Sequence, residues 1–225
     1  VYEYSLTTGA RIRTVAGPAQ GLDNVRGIAL NAGKLYVTVA SGSLAGTVQA
    51  FDLSTGVQTT AFSRAGLTSP WDVAFFNGEA FVSDSGSDGV YAFAPDGTFK
   101  DVRILNPSQL NFPQQIAPDG TTGILAAGFS LPTGIVRTDL AGGGFTKYAI
   151  NTGVRGVHRL GDGNLLWTGG SRLGIFDPVA GTSTDVVNDL NFSFRFITPL
   201  APVPEPASML PLGMGLAASP SLRLG

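Results

Sequence analysis

The sequence contains no cysteine and only one histidine among its 225 residues. The absence of cysteine excludes disulfide bonds, thiolate metal sites and cysteine nucleophiles. The single histidine, His158, cannot form the histidine sets that many enzymes use for metal binding or acid–base catalysis, and we interpret it as a structural residue. No serine triad, phosphate-binding loop or nucleotide-binding motif is apparent. The sequence therefore indicates no catalytic residue, and it predicts neither a metal nor a cofactor.

Charged residues are also scarce, at 13% of the sequence. The 14 basic residues are scattered along the chain and stand against 16 acidic ones, which gives a formal net charge of −2. Because nucleic-acid binding requires lysine and arginine gathered against the phosphates, we expect no nucleic-acid partner. The 31 glycines and the 43% of hydrophobic residues are typical of a turn-rich all-β domain.

The segment from Pro70 to Leu105 predicts four short antiparallel strands. Asn77-Gly78 is a strong signal for a two-residue hairpin, and Pro95-Asp96-Gly97 is typical of a turn. The predicted strands are residues 71–76, 79–83, 90–93 and 98–105. Such a meander cannot bury both of its faces alone, so it needs neighbours of its own kind.

The sequence repeats this unit. A third strand followed by a turn glycine recurs with starts 38 to 47 residues apart, at Val1, Val48, Val90, Ile135 and Leu173. This spacing corresponds to one blade of a β-propeller. The predicted blades are residues 1–15, 25–62, 70–105, 113–150 and 154–187, with a closing inner strand at 191–199.

The fold prediction is therefore an all-β propeller of four-stranded antiparallel blades over residues 1–200. The chain begins with outer strands and ends with an inner one, so the two ends together form a fifth blade. A sixth blade upstream of Val1 is the alternative. One strand is missing from the fifth blade, and we expect incomplete ring closure with exposed sheet edges. We also expect a missing beginning that carried a signal peptide.

The central blade resembles an NHL-type repeat. The resemblance rests on Pro70, the Val73-Ala74 pair, Asn77-Gly78, the strand end Phe81-Val82-Ser83-Asp84 and the segment 90–97. It covers about four blades and implies a propeller. It implies no particular activity, because propellers of this kind serve as enzymes, binding platforms and structural modules.

Repeat register predicts a ligand-binding site at one mouth of the central channel. Arg26, Trp71, Gln114 and Arg155 occupy the same position at the start of successive inner strands, and Asp72 follows Trp71. Propeller symmetry brings such residues around one opening, where they can bind a sugar, a peptide or an anionic group. The alternative is that they plug the channel and pair with neighbouring acids.

Metal-dependent catalysis is the rival hypothesis. The segment Asp84 to Gly89 is similar to the first half of a calcium loop, but Gly86 stands where an oxygen ligand belongs. Gluconolactonase-like propellers hold a divalent cation in the channel, and Asp23, Asp72 and Glu79 are the acids available here. The register partners of Asp72 are Gly27, Gln115 and Gly156, which form a poor ring of ligands.

The C-terminal residues 201–225 predict a proline-rich linker and a sorting tail. The hexapeptide Val203-Pro204-Glu205-Pro206-Ala207-Ser208 resembles the PEP-CTERM sorting signal of exported bacterial proteins. That resemblance implies cleavage by an exosortase, transient membrane contact through the tail, and delivery to the cell surface. The tail departs from the pattern because its apolar run is interrupted by Pro211 and is about half the ~20 residues of a spanning helix.

Together these features predict an exported, non-catalytic propeller of the cell surface or extracellular matrix. Its expected partners are an exosortase-type enzyme and a polysaccharide, a peptide or a matrix component. The alternative is a secreted or periplasmic metal-dependent enzyme of the lactonase or lyase type.

Overall fold

A computed structural model describes residues 1–199, except for the side chains of residues 60 and 61. The chain forms four-stranded antiparallel sheets in sequence order, and we number them as blades. Blade 1 contains β3 (Asp23–Asn31), β4 (Lys34–Ser41), β5 (Thr47–Asp52) and β6 (Gln58–Ser63). Blade 2 contains β7 (Pro70–Phe76), β8 (Glu79–Asp84), β9 (Gly89–Phe93) and β10 (Phe99–Leu105). Blade 3 contains β11 (Pro113–Asp119), β12 (Gly123–Gly128), β13 (Gly134–Asp139) and β14 (Thr146–Ala149). Blade 4 contains β15 (Gly156–Arg159), β16 (Leu165–Gly169), β17 (Arg172–Asp177) and β18 (Thr182–Asn188).

Two further strands, β1 (Tyr2–Tyr4) and β2 (Arg11–Thr14), pair with each other and precede a short 3-10 helix at Pro18–Gln20. The predicted all-β propeller is confirmed, with four complete blades and a fifth that is incomplete. The hairpin at Asn77-Gly78 also forms as predicted. Both residues have positive φ (51° and 73°), as a tight hairpin turn between twisted strands requires.

The core lies between the blades rather than inside any one of them. Tyr36, Val48 and Phe62 of blade 1 pack against Val73 and Phe93 of blade 2 in one apolar cluster. Equivalent clusters join blade 2 to blade 3 and blade 3 to blade 4. A fourth cluster joins Val15 and Ala16, which follow β2, to blade 1. Burial of each sheet's faces by its neighbours is why the repeat has to recur.

The inner strands β3, β7, β11 and β15 lie side by side around a central channel. A backbone carbonyl at the start of each following inner strand accepts a hydrogen bond from the preceding blade. Thr38 Oγ1 donates to the Trp71 carbonyl at 3.2 Å, and Ser83 Oγ donates to the Gln114 carbonyl at 2.5 Å. The Gln115 amide donates to the Arg155 carbonyl at 3.3 Å. These bonds tie the blades together at one end of the channel.

The segment 191–199 continues this series. Thr168 Oγ1 of blade 4 donates to the carbonyl of Arg195, so Arg195 takes the place that Trp71, Gln114 and Arg155 take in their blades. Gly156 supports the same assignment, because a Cβ atom there would collide with the Arg195 carbonyl. The segment nevertheless differs from the predicted strand: only Phe194 forms a β-bridge, to Gly170. It forms no ladder with β1 in the described residues.

The gap in the fifth blade is a groove of about 890 Å³ between β1 and the C-terminal segment. Val1, Tyr2 and Thr198 line it on the side of blade 5. Ile28 and Leu30 of β3 line it on the side of blade 1 and are 59% and 67% exposed.

Within residues 1–199, no helix has the length and apolarity needed to cross a membrane. The predicted sorting motif, Val203 to Ser208, lies outside the described residues.

Candidate functional site at the channel mouth

Irregular strand pairing positions three of the predicted mouth residues. The ladder between the first two strands of a blade skips a register after Val25, after Pro70 and after Pro113. Arg26, Trp71 and Gln114 follow these positions directly. A bulge bends the strand and redirects the side chain, which is why bulges recur next to binding sites.

Arg26 and Trp71 pack against each other across the boundary between blades 1 and 2. The Arg26 guanidinium carbon lies 4.2 Å from the centroid of the Trp71 ring, in cation–π geometry. Arg26 Nη1 donates to Ser69 Oγ at 3.0 Å and to Ser85 Oγ at 3.2 Å. Burial lowers the pKa of Arg26, and the negative charge of Asp84 acts in the opposite direction.

Two phenylalanines that sequence analysis missed extend this contact. Phe112 meets Trp71 edge-on, with ring centroids 5.1 Å apart, and Phe129 lies 5.8 Å from Phe112. Phe112 has a positive φ of 50°, which is rare for a bulky residue, and Asp88 Oδ1 accepts a hydrogen bond from its amide at 2.8 Å. Both lie in connections between strands, so the register of the strands could not have revealed them.

Arg155 and Gln114 form the other side of the mouth. The Arg155 guanidinium carbon lies 4.1 Å from the centroid of Phe129, and its Nη1 is 3.5 Å from Gln114 Oε1. Gln114 is 1% exposed. Cation–π and aromatic contacts thus run without a break from Arg26 through Trp71, Phe112 and Phe129 to Arg155.

Arg195 is the fifth member of this set, and sequence analysis missed it. Its backbone carries the equivalent inter-blade hydrogen bond, and its side chain is exposed. The carbonyl of Arg195 lies against Gly156, the residue next to Arg155. Burial lowers the pKa of Arg155, and the positive charge of Arg195 lowers it further. Applying the register of the repeats to the predicted closing strand at 191–199 would have identified Arg195. We call these residues the arginine–aromatic mouth: Arg26, Trp71, Phe112, Gln114, Phe129, Arg155 and Arg195.

Unlike the residues of the mouth, Asp72 has its side chain in the wall of the channel. Its Oδ2 accepts a hydrogen bond from the Ile116 amide at 3.0 Å, which links blade 2 to blade 3. Burial raises the pKa of Asp72 to about 7, against the effect of the hydrogen bonds from Ile116 and Val73. Asp72 and His158 line a channel cavity of about 330 Å³ that Arg26 borders at the mouth.

The mouth holds buried N–H groups that lack an acceptor. Among the described residues, five buried side-chain polar atoms have no hydrogen-bond partner, and three of them belong to the mouth: Trp71 Nε1, Gln114 Nε2 and Arg155 Nε. Within residues 1–199, no acidic side chain lies within ion-pair distance of Arg26, Arg155 or Arg195. The alternative expectation, that these residues pair with neighbouring acids, is therefore not what the described residues show.

The acids considered for a metal site are not gathered together. Asp72 bonds to Ile116 inside the channel, whereas Asp23 accepts a hydrogen bond from Ser41 and Glu79 pairs with Lys100 and Arg103. In the part of the chain that the structure describes, no three histidine, aspartate or glutamate side chains lie close enough to hold a metal ion. The geometry suits ligand binding through hydrogen bonds and charge.

Comparison with known proteins agrees on the fold. No family model matches the sequence, and no curated protein matches it. Solved structures do match. The nidogen/laminin complex contains a chain with a TM-score of 0.61 and 19% identity, over 72% of this chain and 64% of that chain. The extracellular domain of the hybrid two-component system BT4673 from B. thetaiotaomicron gives a TM-score of 0.63 and 14% identity, over 86% of this chain and 26% of that one. The WD40 β-propeller domain of Doa1 gives a TM-score of 0.53 and 13% identity, over 69% of this chain and 50% of that one.

These likenesses place the chain in the class of β-propellers. At identities below 25%, they show the fold alone. The chain spans less than two thirds of the length of each of the three structures it matches.

Proposed function

We propose that this protein is an exported, non-catalytic β-propeller that binds a ligand at the arginine–aromatic mouth, at the cell surface or in the extracellular matrix. The observation that carries the proposal is the set of buried, unpartnered N–H groups on Trp71, Gln114 and Arg155. A buried donor without an acceptor costs about 1 to 3 kcal/mol, so a ligand that supplies acceptors gains from each one. Inter-blade hydrogen bonds hold the backbone of these residues in place before binding.

The binding role is supported by the chemistry of the channel. Asp72 is the one carboxylate among the described residues that line the cavity, and it already accepts an inter-blade hydrogen bond. A lactonase or lyase would need several ligands or proton-transfer groups converging there. No observation in the described residues favours that alternative.

Export and surface sorting are supported by the motif Val203 to Ser208. One of the similar structures is by name an extracellular domain, and another is a complex of two proteins, nidogen and laminin. Both are compatible with a propeller that works outside the cell by binding.

Binding is tested by isothermal titration of the full chain with a panel of soluble neutral polysaccharides, acidic polysaccharides and peptides. We expect at least one member to bind and the Trp71→Ala variant to lose that binding, because Trp71 lies at the centre of the mouth contacts. Trp167→Phe is the matched control, since Trp167 is buried in blade 4. Binding that survives Trp71→Ala, or no binding across the panel, would contradict the proposal.

Sorting is tested by producing the protein in a bacterium that has an exosortase and measuring the mass of the surface-located form. We expect the mature protein to lack residues beyond about Pro206, and the Pro204→Ala variant to keep them. An intact tail on mature surface protein would contradict this part of the proposal without affecting the binding test.

A further inference from the structure

The unpartnered polar atoms at the mouth are all hydrogen-bond donors. Tryptophan Nε1 and arginine Nε can only donate, and the free atom of Gln114 is its amide nitrogen. The amide oxygen of Gln114 already faces Arg155 Nη1. A ligand that completes this site therefore has to bring acceptor atoms rather than donors.

Positive charge is concentrated on the side of blades 4 and 5. Arg26 is held by two serine hydroxyls and is influenced by the charge of Asp84. Arg155 has no acidic side chain within ion-pair distance in the described residues, and the backbone of Arg195 lies against Gly156, the residue next to Arg155. The charge that acts on the pKa of Arg155 is that of Arg195, which is also positive. Two arginines close together on a partly buried surface favour an anion between them.

The orientation of Arg155 indicates which anion. Phe129 covers one face of the guanidinium, and Nη1 is directed to Gln114, so the edge that carries the buried Nε is the one that still lacks an acceptor. That edge binds carboxylates elsewhere in this chain: Arg13 Nε donates to Glu3 at 2.6 Å, and Arg137 Nε donates to Asp119. A planar carboxylate matches the two parallel N–H groups of such an edge.

We infer that the ligand of the arginine–aromatic mouth carries a carboxylate, bound by Arg155 and Arg195. Further acceptor atoms of the same ligand serve Trp71 Nε1 and Gln114 Nε2. This inference rests on the proposed binding function and adds to it the class of the ligand.

The test uses the full chain and a pair of probes with the same sugar backbone: a short oligogalacturonate, whose carboxylates are free, and its fully methyl-esterified form, whose carboxyl groups are neutral. We expect the acid to bind at least about tenfold more tightly than the ester, with an affinity that falls as salt is added. Arg155→Gln and Arg195→Gln should each weaken binding of the acid by about tenfold or more. Arg172→Gln is the control, because Arg172 lies on an outer strand of blade 4 and should leave the affinity unchanged.

Each result of this experiment either supports the carboxylate inference or overturns it. Arg195 is exposed, so Arg195→Gln tests the site even if Arg155→Gln lowers stability. Equal affinity for acid and ester, or no effect of either arginine variant, would overturn the inference. If the ester or a neutral polysaccharide binds and Trp71→Ala abolishes that binding, the proposed function stands while the carboxylate inference fails. A poly-L-glutamate arm distinguishes the source of the carboxylate: tighter binding of the oligogalacturonate indicates a sugar acid, and tighter binding of poly-L-glutamate indicates an acidic peptide.

Discussion

Arginine side chains at the hairpin end of the blades and at the mouth of the channel have opposite surroundings. At the end where the first hairpin of each blade turns, Asp119 pairs with Arg137 and Arg159, and Glu79 pairs with Arg103. At the mouth, Arg26 and Arg155 lie on aromatic rings and have no acid within ion-pair distance in the described residues. Arginine therefore forms ion pairs within the protein at the hairpin end, whereas at the mouth no acid within the described residues neutralises its charge.

This difference separates structural residues from binding residues more clearly than burial does. The side chains of Arg137 and Arg159 at the hairpin end are 32% and 35% exposed, so these residues are partly buried, as Arg26 and Arg155 at the mouth are. Removing a group that is paired within the protein should reduce the stability of the fold. Removing a group whose partner is the ligand should reduce the affinity for that ligand. The predictions that follow test this division.

The largest effect is expected for Asp119→Ala at the hairpin end. The Asp119 side chain is 4% exposed, and its removal leaves two arginines without their acid. We expect a loss of about 3 to 5 kcal/mol in the free energy of unfolding, measured by urea denaturation. Arg155→Ala at the mouth should lose less than about 1 kcal/mol. A larger loss for Arg155→Ala than for Asp119→Ala would refute the division between the two ends.

The second-largest effect is expected for Asp72, which lies in the channel wall between the hairpin end and the mouth. Its folded-state pKa is raised from 3.8 to about 7, so the folded protein binds an extra proton in that window. Stability from this group is complete below the unfolded-state pKa and is lost as the pH rises through about 7. We expect the wild type to lose about 2 to 4 kcal/mol of unfolding free energy between about pH 4 and pH 8 through this group.

Asp72→Asn provides the comparison, because asparagine keeps an oxygen that accepts from the Ile116 amide and does not ionise. We expect this variant to be more stable than the wild type at about pH 8 and similar to it at about pH 4 and below. Parallel pH profiles of the two proteins, measured by urea denaturation, would show that Asp72 does not titrate in this range.

Gly156→Ala tests whether the segment 191–199 belongs to the mouth. A Cβ at this position would meet the carbonyl oxygen of Arg195 and, at 3.0 Å, Gln115 Oε1. We expect a loss of about 1 to 3 kcal/mol and faster hydrogen exchange in residues 191–199. Gly161→Ala is the matched control, since nothing lies within 4 Å of its Cβ position. Unchanged exchange in the segment would mean that it is not held by blade 4.

The smallest effect is expected for Ser83→Ala, which removes one inter-blade link at the mouth. Ser83 is fully buried, accepts a hydrogen bond from the Asp72 amide at 3.0 Å and donates to the Gln114 carbonyl. We expect a loss of about 1 to 2 kcal/mol. Ser108→Ala, which removes an exposed hydroxyl, should change stability by less than about 0.5 kcal/mol. Equal effects of the two variants would show that the inter-blade hydroxyls do not stabilise the ring.

Much of the fold was predictable because propeller blades carry strong local signals. The strands of blade 2 begin and end within one residue of the predicted bounds, since Asn77-Gly78 and Asp96-Gly97 restrict where the turns form. The segment 191–199 was less predictable. Its alternating phenylalanines suggested a regular strand, but without a paired neighbour it forms a single bridge at Phe194. A strand needs a partner for its backbone groups, and sequence alternation does not provide one.

The candidate site was predictable only in part. Register identified Arg26, Trp71, Gln114 and Arg155, because equivalent positions in a cyclic repeat lie around one axis. It did not identify Phe112 and Phe129, which lie in irregular connections and reach the mouth through the path of the chain. It also placed Asp72 at the mouth, although Asp72 bonds to the next blade within the channel wall. Adjacent residues of a strand point to opposite sides, and a bulge alters that alternation in a way that a repeat alignment does not show.

The sequence by itself determined the blade repeat, the turns within each blade and the shortage of catalytic side chains. These properties depend on local backbone preferences and composition, which can be seen in short segments. The tertiary structure decided which arginines are paired with acids, which donors remain without an acceptor and that Arg195 joins the mouth. Those properties depend on contacts between residues that are distant in the chain, and only the packing of the blades around the channel brings them together.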